Sequence, residues 1–202
     1  MPGKLVVVTN SLTGGGAERS MSILINNLVK QGIDCVHVAI NSDDRTSLSQ
    51  IAKTYVLEKS SGFDIFGTVR ALARFNTLIR AEEPEVTILN CDLPEFFGAL
   101  SSKKIGKMVV VEHANPSWST RPLLGKIVRS ILQFRKANFV AVSHHIVPPH
   151  GFRVPDVILA NSIEVNEIQQ VPFSQELKSL VYVGRLTNVD KEVSRILDIA
   201  EL

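Results

Sequence analysis

Apolar and polar positions alternate along the chain in short blocks whose period changes repeatedly. Residues 4–9 (KLVVVT) form a β-branched run without helical period, which predicts a buried strand. Gly14, Gly15 and Gly16 follow as a loop. Then Ala17, Met21, Leu24, Ile25 and Leu28 fall at helical spacing, and the predicted helix stops at Gly32. Residues 35–40 (CVHVAI) read as a second strand. A strand, loop, helix and strand within forty residues open a parallel α/β sheet.

The alternation continues. Residues 54–57 predict a short strand and 64–82 a helix with Ile65, Val69, Leu72, Ala73 and Ile79 on one side, closed by Pro84. Strands are expected at 86–89, 108–111, 139–142 and 157–160, with helices at 94–100 and 122–136. Residues 144–156 hold three of the nine prolines and read as loop. The texture changes at 162–179, which is polar, contains Pro172 and has no strong period, as a linker would. Residues 180–184 read as a further strand, and Val193, Ile196, Leu197 and Ala200 share one helical face. One strand and one helix cannot bury their own apolar faces. The expected organisation is therefore one domain over 1–165, a linker over 166–179, and at 180–202 the start of an incomplete second domain.

Hydrophobic residues make up 45% of the 202 and charged residues 21%, which suits a packed core and excludes disorder and a coiled coil. No apolar run approaches the ~20 residues of a membrane helix, and the amino-terminal one is too short for a signal peptide. Cys35 and Cys91 cannot make a disulfide framework and read as buried thiols of a cytoplasmic protein. Net charge is only +2, but residues 103–151 carry eight basic side chains and one acidic one. Such an island marks an anionic partner or surface.

Three constellations could carry chemistry. Thr13 to Arg19 joins the first strand to the first helix. Its glycines let a ligand approach the backbone, and the unpaired N–H groups of the helix start can hold an anion. The same residues would also serve as a plain turn. The loop is not G-x-G-x-x-G and no acid ends the second strand, which disfavours a dinucleotide. Second, His113 lies beyond the strand at 108–111, where ligands bind in open parallel sheets; there it is either a base or hydroxyl contact, or a group satisfying loop backbone. Third, Arg185 at a strand end and Lys191 six residues later could converge on a diphosphate or be surface charge. His144, His145 and His150 lack a recognised ligand spacing, so no metal is expected. Asp92, also beyond a strand, reads as a turn cap.

Taken in order, these stretches resemble the amino-terminal half of a retaining glycosyltransferase of the GT-B fold, glycosyltransferase family 4. Gly14-Gly15-Gly16-Ala17-Glu18-Arg19 resembles its GGAER loop, and Val111-Glu112-His113 its strand ending in histidine. Val140 to Ser143 with Ala160 to Glu164, and Leu180 to Leu186 with Lys191, resemble two later motifs. The pattern departs at Ser162 and Glu192, where glycine is usual, and family members run to about twice this length. The resemblance implies a Rossmann-like parallel sheet with helices on both faces, an acceptor-side domain at 1–165, and the beginning of a nucleotide-sugar domain at 180–202. It implies that Gly15 and Gly16 approach donor phosphates and sugar, that His113 is catalytic, and that Arg185 and Lys191 neutralise the leaving diphosphate. The nucleotide sugar would be a substrate, the acceptor a glycan or lipid-linked molecule, and neither cofactor, metal nor nucleic acid is implied. The chain alone would then be inactive, or be a stand-alone module that pairs with a separate donor-domain chain.

The basic island suggests a peripheral membrane contact. On the helix at 122–136, Leu124, Ile127, Val128, Ile131 and Leu132 share one face and Lys126, Arg129, Gln133 and Lys136 the other. The expectation is that the apolar face packs on the sheet while Lys126, Arg129 and Lys136 meet anionic lipid.

Overall fold

The structure, a computed structural model, describes residues 3–12, 15–41, 51–59, 64–113, 118, 120–146 and 155–161. All lie in the first of the two units into which the chain divides, 1–164 and 165–202. The linker at 166–179, the segment at 180–202, and with them Arg185 and Lys191, lie outside the described residues.

The elements follow the alternation in the sequence: β1 (Leu5–Thr9), α1 (Gly16–Lys30), β2 (Cys35–Asn41), β3 (Lys53–Lys59), α2 (Ile65–Glu82), β4 (Val86–Asn90), α3 (Asp92–Leu100), β5 (Lys107–Glu112), α4 (Pro122–Phe134), β6 (Asn138–Ala141) and β7 (Val157–Ile158). A single 3-10 turn, Lys103–Ile105, precedes β5. Every strand pair is parallel, and the order across the sheet is β3-β2-β1-β4-β5-β6-β7. This is a Rossmann-like α/β fold. Both faces of β1 and β2 are covered, which is why VVV and CVHVAI are continuous apolar runs rather than alternating ones.

The faces are covered unequally. On one, α1 packs Met21 and Ile25 against Val7, Cys35 and Val111. On the other, α2, α3 and α4 bury Phe75, Ile79, Phe97, Val128 and Leu132 over Val6, Val8, Val38, Leu89 and Val110. Phe75 and Phe97 meet edge to face at 5.8 Å between ring centres.

Local chemistry sets the helix ends. Asp64 caps α2, its carboxylate accepting the Gly67 N–H at 2.9 Å. The far end is fixed by Glu82, which accepts from Lys4 Nζ at 2.7 Å, Lys53 Nζ at 2.8 Å and Tyr55 Oη at 2.7 Å. These bonds hold the Glu82 carboxyl down at about 2. Gly106, at φ +73, immediately precedes β5, and a Cβ there would stand 2.3 Å from the Pro84 carbonyl oxygen, so a side chain is excluded twice over.

Two helix faces differ from expectation. In α2 the buried positions are Ala71, Phe75, Leu78, Ile79 and Glu82, while Ile65, Val69 and Ala73 are exposed. In α4 they are Gly125, Val128, Arg129 and Leu132, while Leu123, Ile127 and Phe134 are exposed. The α4 stripe is turned so that an arginine occupies its centre. Gly125 permits this, because the Trp118 side chain stands only 2.4 Å from where its Cβ would be.

Candidate functional site

The sheet order reverses between β1 and β4: β1 leads outward to β2 and β3, and β4 to β5, β6 and β7. In open α/β sheets the crevice at the carboxyl ends of such strands is the ligand site. Here α1 leaves β1 on one face and α3 leaves β4 on the other, so the crevice opens between their first turns.

Gly15 is the N-cap of α1 and offers no side chain to the first amides, and helix starts of this kind can hold an anion. At Gly16 a Cβ would meet nothing within 4 Å, so the fold itself does not demand glycine there. Thr13 and Gly14 lie outside the described residues. Ser20, one turn into α1, donates to Asn161 Oδ1 at 3.0 Å. That bond brings the glycine-loop helix against the Ala160–Asn161 stretch, 141 residues away in sequence.

His113 follows β5 and is half-buried. Its Nε2–H donates to Asn90 Oδ1 at 2.8 Å, which leaves Nδ1 as an acceptor on the neutral ring. Burial lowers its pKa, so the ring is neutral at physiological pH and able to take a proton. Asn90 is fully buried at the end of β4, and its Nδ2 has no partner. Asn10 after β1 and Asn41 at the end of β2 likewise have buried, unpartnered Oδ1 atoms. Buried polar atoms are ordinarily satisfied. Of the four such orphans among the described residues, three sit at the carboxyl edge, where a ligand or water would complete them. The sequence signal for them was available: each asparagine stands at or just after the end of a predicted strand.

Cys91, between Asn90 and α3, adopts φ +73 and ψ −177, a region that side chains rarely occupy and that costs ~1–3 kcal/mol. Cys91 is half-buried, and desolvation, then the charges of Glu18 and neighbouring acids, pushes its pKa far up. It is a packed thiol rather than a nucleophile.

Beneath His113 lies a buried ionic cluster that the sequence did not foretell. Arg129 is not a surface cation. Its side chain is 3% exposed and grips Glu95, itself 0% exposed, through Nε at 2.9 Å and Nη2 at 2.8 Å. Nη2 also bonds Glu112, the residue before His113. Trp118 donates its indole N–H to Glu95 at 2.9 Å and its backbone N–H to Asp92 at 3.1 Å. Asp92 therefore holds the Trp118 backbone, and the cap of α3 is Cys91, which makes no side-chain bond.

Asp92, Glu95 and Glu112 have carboxylate oxygens within 4.8 Å of one another, a geometry that can hold a metal ion. The guanidinium of Arg129 already supplies the positive charge among them. One cation faces three acids, so burial drives Glu112 up to about 7 and Asp92 up to about 6, with Arg129 opposing both. Arg129 is held charged: burial works against it, but the bonds to Glu95 and the pull of both glutamates outweigh that cost.

The basic island does not form one patch. Lys126 and Lys136 are exposed, whereas Arg129, placed with them on a lipid-facing side by the sequence, is withdrawn into the cluster. Arg135 is withdrawn too, donating to the carbonyls of Gly98, Ala99, Ser101 and Ser102 at the end of α3. Lys103, Lys104 and Lys107 stand at the amino edge of the sheet, the edge opposite Arg121 and the amino end of α4. His144 and His145 are exposed, and His150 lies outside the described residues. Among the described residues no helix is long and apolar enough to cross a membrane.

No protein-family model and no curated protein matches the chain in sequence. Among solved structures it is similar to the Bordetella bronchiseptica enzyme WbmH in complex with NAD+, with 15% identity and a TM-score of 0.47 over 69% of this chain and 54% of that one. It is also similar to an alpha-glucosyltransferase in complex with UDP and a 13-mer DNA containing a central A:G mismatch, with 16% identity and a TM-score of 0.44 over 78% of this chain and 40% of that one. The chain spans about half, or less, of the length of these two proteins. At such identities the likeness is one of fold.

Proposed function

We propose that this chain is the acceptor-side, amino-terminal portion of a retaining glycosyltransferase, moving a sugar from a nucleotide sugar to a glycan or lipid-linked acceptor. The observation that carries the reading is the bond between Ser20 and Asn161. It joins two of the stretches that resemble family 4, the GGAER helix and the Asn161 segment, at the edge where His113, carrying a third, also stands. In this reading the bare amides at Gly15 and Gly16 face the donor phosphates and sugar. The neutral His113, with Nδ1 accepting, contacts the sugar or the acceptor hydroxyl. Arg185 and Lys191 neutralise the leaving diphosphate. The protein acts in the cytoplasm, and Lys126 and Lys136 favour an anionic membrane surface.

Sugar transfer by the chain joined to its complete donor domain tests this. The expected result is turnover that Gly16→Val and His113→Ala each lower at least tenfold, with circular dichroism unchanged, and none by the chain alone. Turnover indifferent to both substitutions, or robust turnover by the chain alone, overturns it.

A further inference from the structure

Asn90 and His113 meet because of the register between their strands. In the pairing of β4 with β5, Ile88 stands opposite Val109 and Asn90 opposite Val111. Ile88, Val109 and Val111 all pack on the α1 face of the sheet. Asn90 and His113, two residues beyond Ile88 and Val111, fall on that same face, since side chains alternate along a strand. Their 2.8 Å bond is thus a diagonal contact between neighbouring strands. Asn90 is 0% exposed, and a single residue, Cys91, separates it from α3. The backbone just before His113 is also held. The Glu112 side chain accepts from Arg129, and its carbonyl accepts the Val142 N–H at 3.2 Å.

The amide decides where the ring carries its proton. An amide oxygen only accepts, so the ring nitrogen facing Asn90 Oδ1 is the protonated one, and Nδ1 keeps its lone pair. Turned over, the same amide would donate from Nδ2 to the ring, move the ring proton to Nδ1 and remove the base there. In the orientation seen, the buried atom left over is Nδ2, a donor. Hydroxyl and phosphate oxygens of a sugar ligand accept from such a group, whereas an orphaned Oδ1 would need a donor.

We propose that Asn90 is the positioning residue of His113, holding the ring proton on Nε2 so that Nδ1 is the atom that accepts from the substrate hydroxyl. The role rests on the glycosyl-transfer reading of the site, whereas the place of the ring proton is measured without turnover.

Nitrogen NMR of the chain labelled at histidine reads that placement. Wild type should show His113 at pH 7 as the neutral Nε2–H ring, with an Nε2 proton that exchanges slowly enough to be observed. Asn90→Leu, which has no acceptor, should lose that proton signal to exchange while circular dichroism stays unchanged. Asn90→Asp keeps the acceptor and adds a negative charge, so at the same pH the ring should carry protons on both nitrogens. In the chain joined to its complete donor domain, Asn90→Leu should lower kcat at least tenfold with KM little changed. An Nδ1–H ring in wild type, a neutral ring in Asn90→Asp, or an Nε2 proton that survives in Asn90→Leu would each overturn the proposal. So would an unchanged kcat in Asn90→Leu where His113→Ala loses activity. The wild-type and Asn90→Asp spectra decide by themselves if Asn90→Leu does not fold. Turnover indifferent to His113→Ala would overturn the glycosyl-transfer reading of the ring, and the role of Asn90 with it, even where the spectra place the proton on Nε2.

Discussion

Arg129 and Glu95 face each other through two parallel hydrogen bonds with both side chains out of water, one contributed by α4 and the other by α3. A bidentate pair in this setting is directional as well as strong. It fixes the angle between two adjacent helices and, through Glu112, the end of the strand that carries His113. Its net contribution to stability is small, since desolvation offsets the attraction, but losing one partner strands the other. Arg129→Met should cost ~3–5 kcal/mol in urea denaturation. Adding Glu95→Gln should cost less than the two single changes summed. Strict additivity would mean the pair is not coupled in solution.

Glu112 makes stability depend on pH. Its folded pKa of about 7 lies above the ordinary 4.5, so the folded state binds more protons than the unfolded one between those values. Its contribution is therefore present below pH 4.5 and is lost as pH rises through 7. His113, lowered by burial, acts the other way below 6.5, so the comparison between two proteins isolates the carboxyl. Denaturation of wild type and Glu112→Gln at half-unit steps from pH 5 to 8 should show a shallower decline in the variant. Parallel curves would place the titrating proton elsewhere in the cluster.

Glu82 governs the acid limb. Its bonds to Lys4, Lys53 and Tyr55 hold its pKa near 2, so its contribution is complete above 4.5 and lost as pH falls toward 2. Glu82→Gln should lose about 1.5–3 kcal/mol at pH 7 and show a flatter decline between pH 4.5 and 2. Thermal melts across that range provide the measurement. An unchanged acid limb would remove Glu82 as its source.

Gly16 offers a separation of fold from function. No atom stands within 4 Å of a Cβ there and its φ is not positive, so Gly16→Ala should leave the melting temperature unchanged or raised by a few degrees. A marked fall in melting temperature would show that the glycine serves the backbone, and the ligand role argued from it would fall with it.

The membrane proposal now rests on Lys126 and Lys136. Lys126→Glu with Lys136→Glu should abolish sedimentation with anionic vesicles at low salt while leaving urea stability within ~0.5 kcal/mol. Wild-type binding that high salt does not weaken, or that neutral vesicles match, would defeat it.

The order of strands and helices was legible because each element's period lies in its own sequence: β-branched runs at β1, β2 and β5, a 3.6-residue stripe in α1, and glycine or proline at their ends. The edge that carries His113 and Gly15 was legible too, because residues after parallel strands all fall on one side of the sheet. Which face of α2 and α4 turns inward was not. The stripe through Ile65 and Val69 and the cations at Lys126 and Arg129 follow sound rules for a helix in isolation, but burial is decided by neighbours. Arg129 goes inside because Glu95 and Glu112, 34 and 17 residues away, supply its counter-charges there. Val69 stays outside because α2 packs on the sheet through Ala71, Phe75, Leu78 and Ile79 instead. Amphipathic periodicity is a property of one segment, whereas the pairing of a buried charge and the choice of a packed face belong to three or four segments at once, and only the folded chain brings these together.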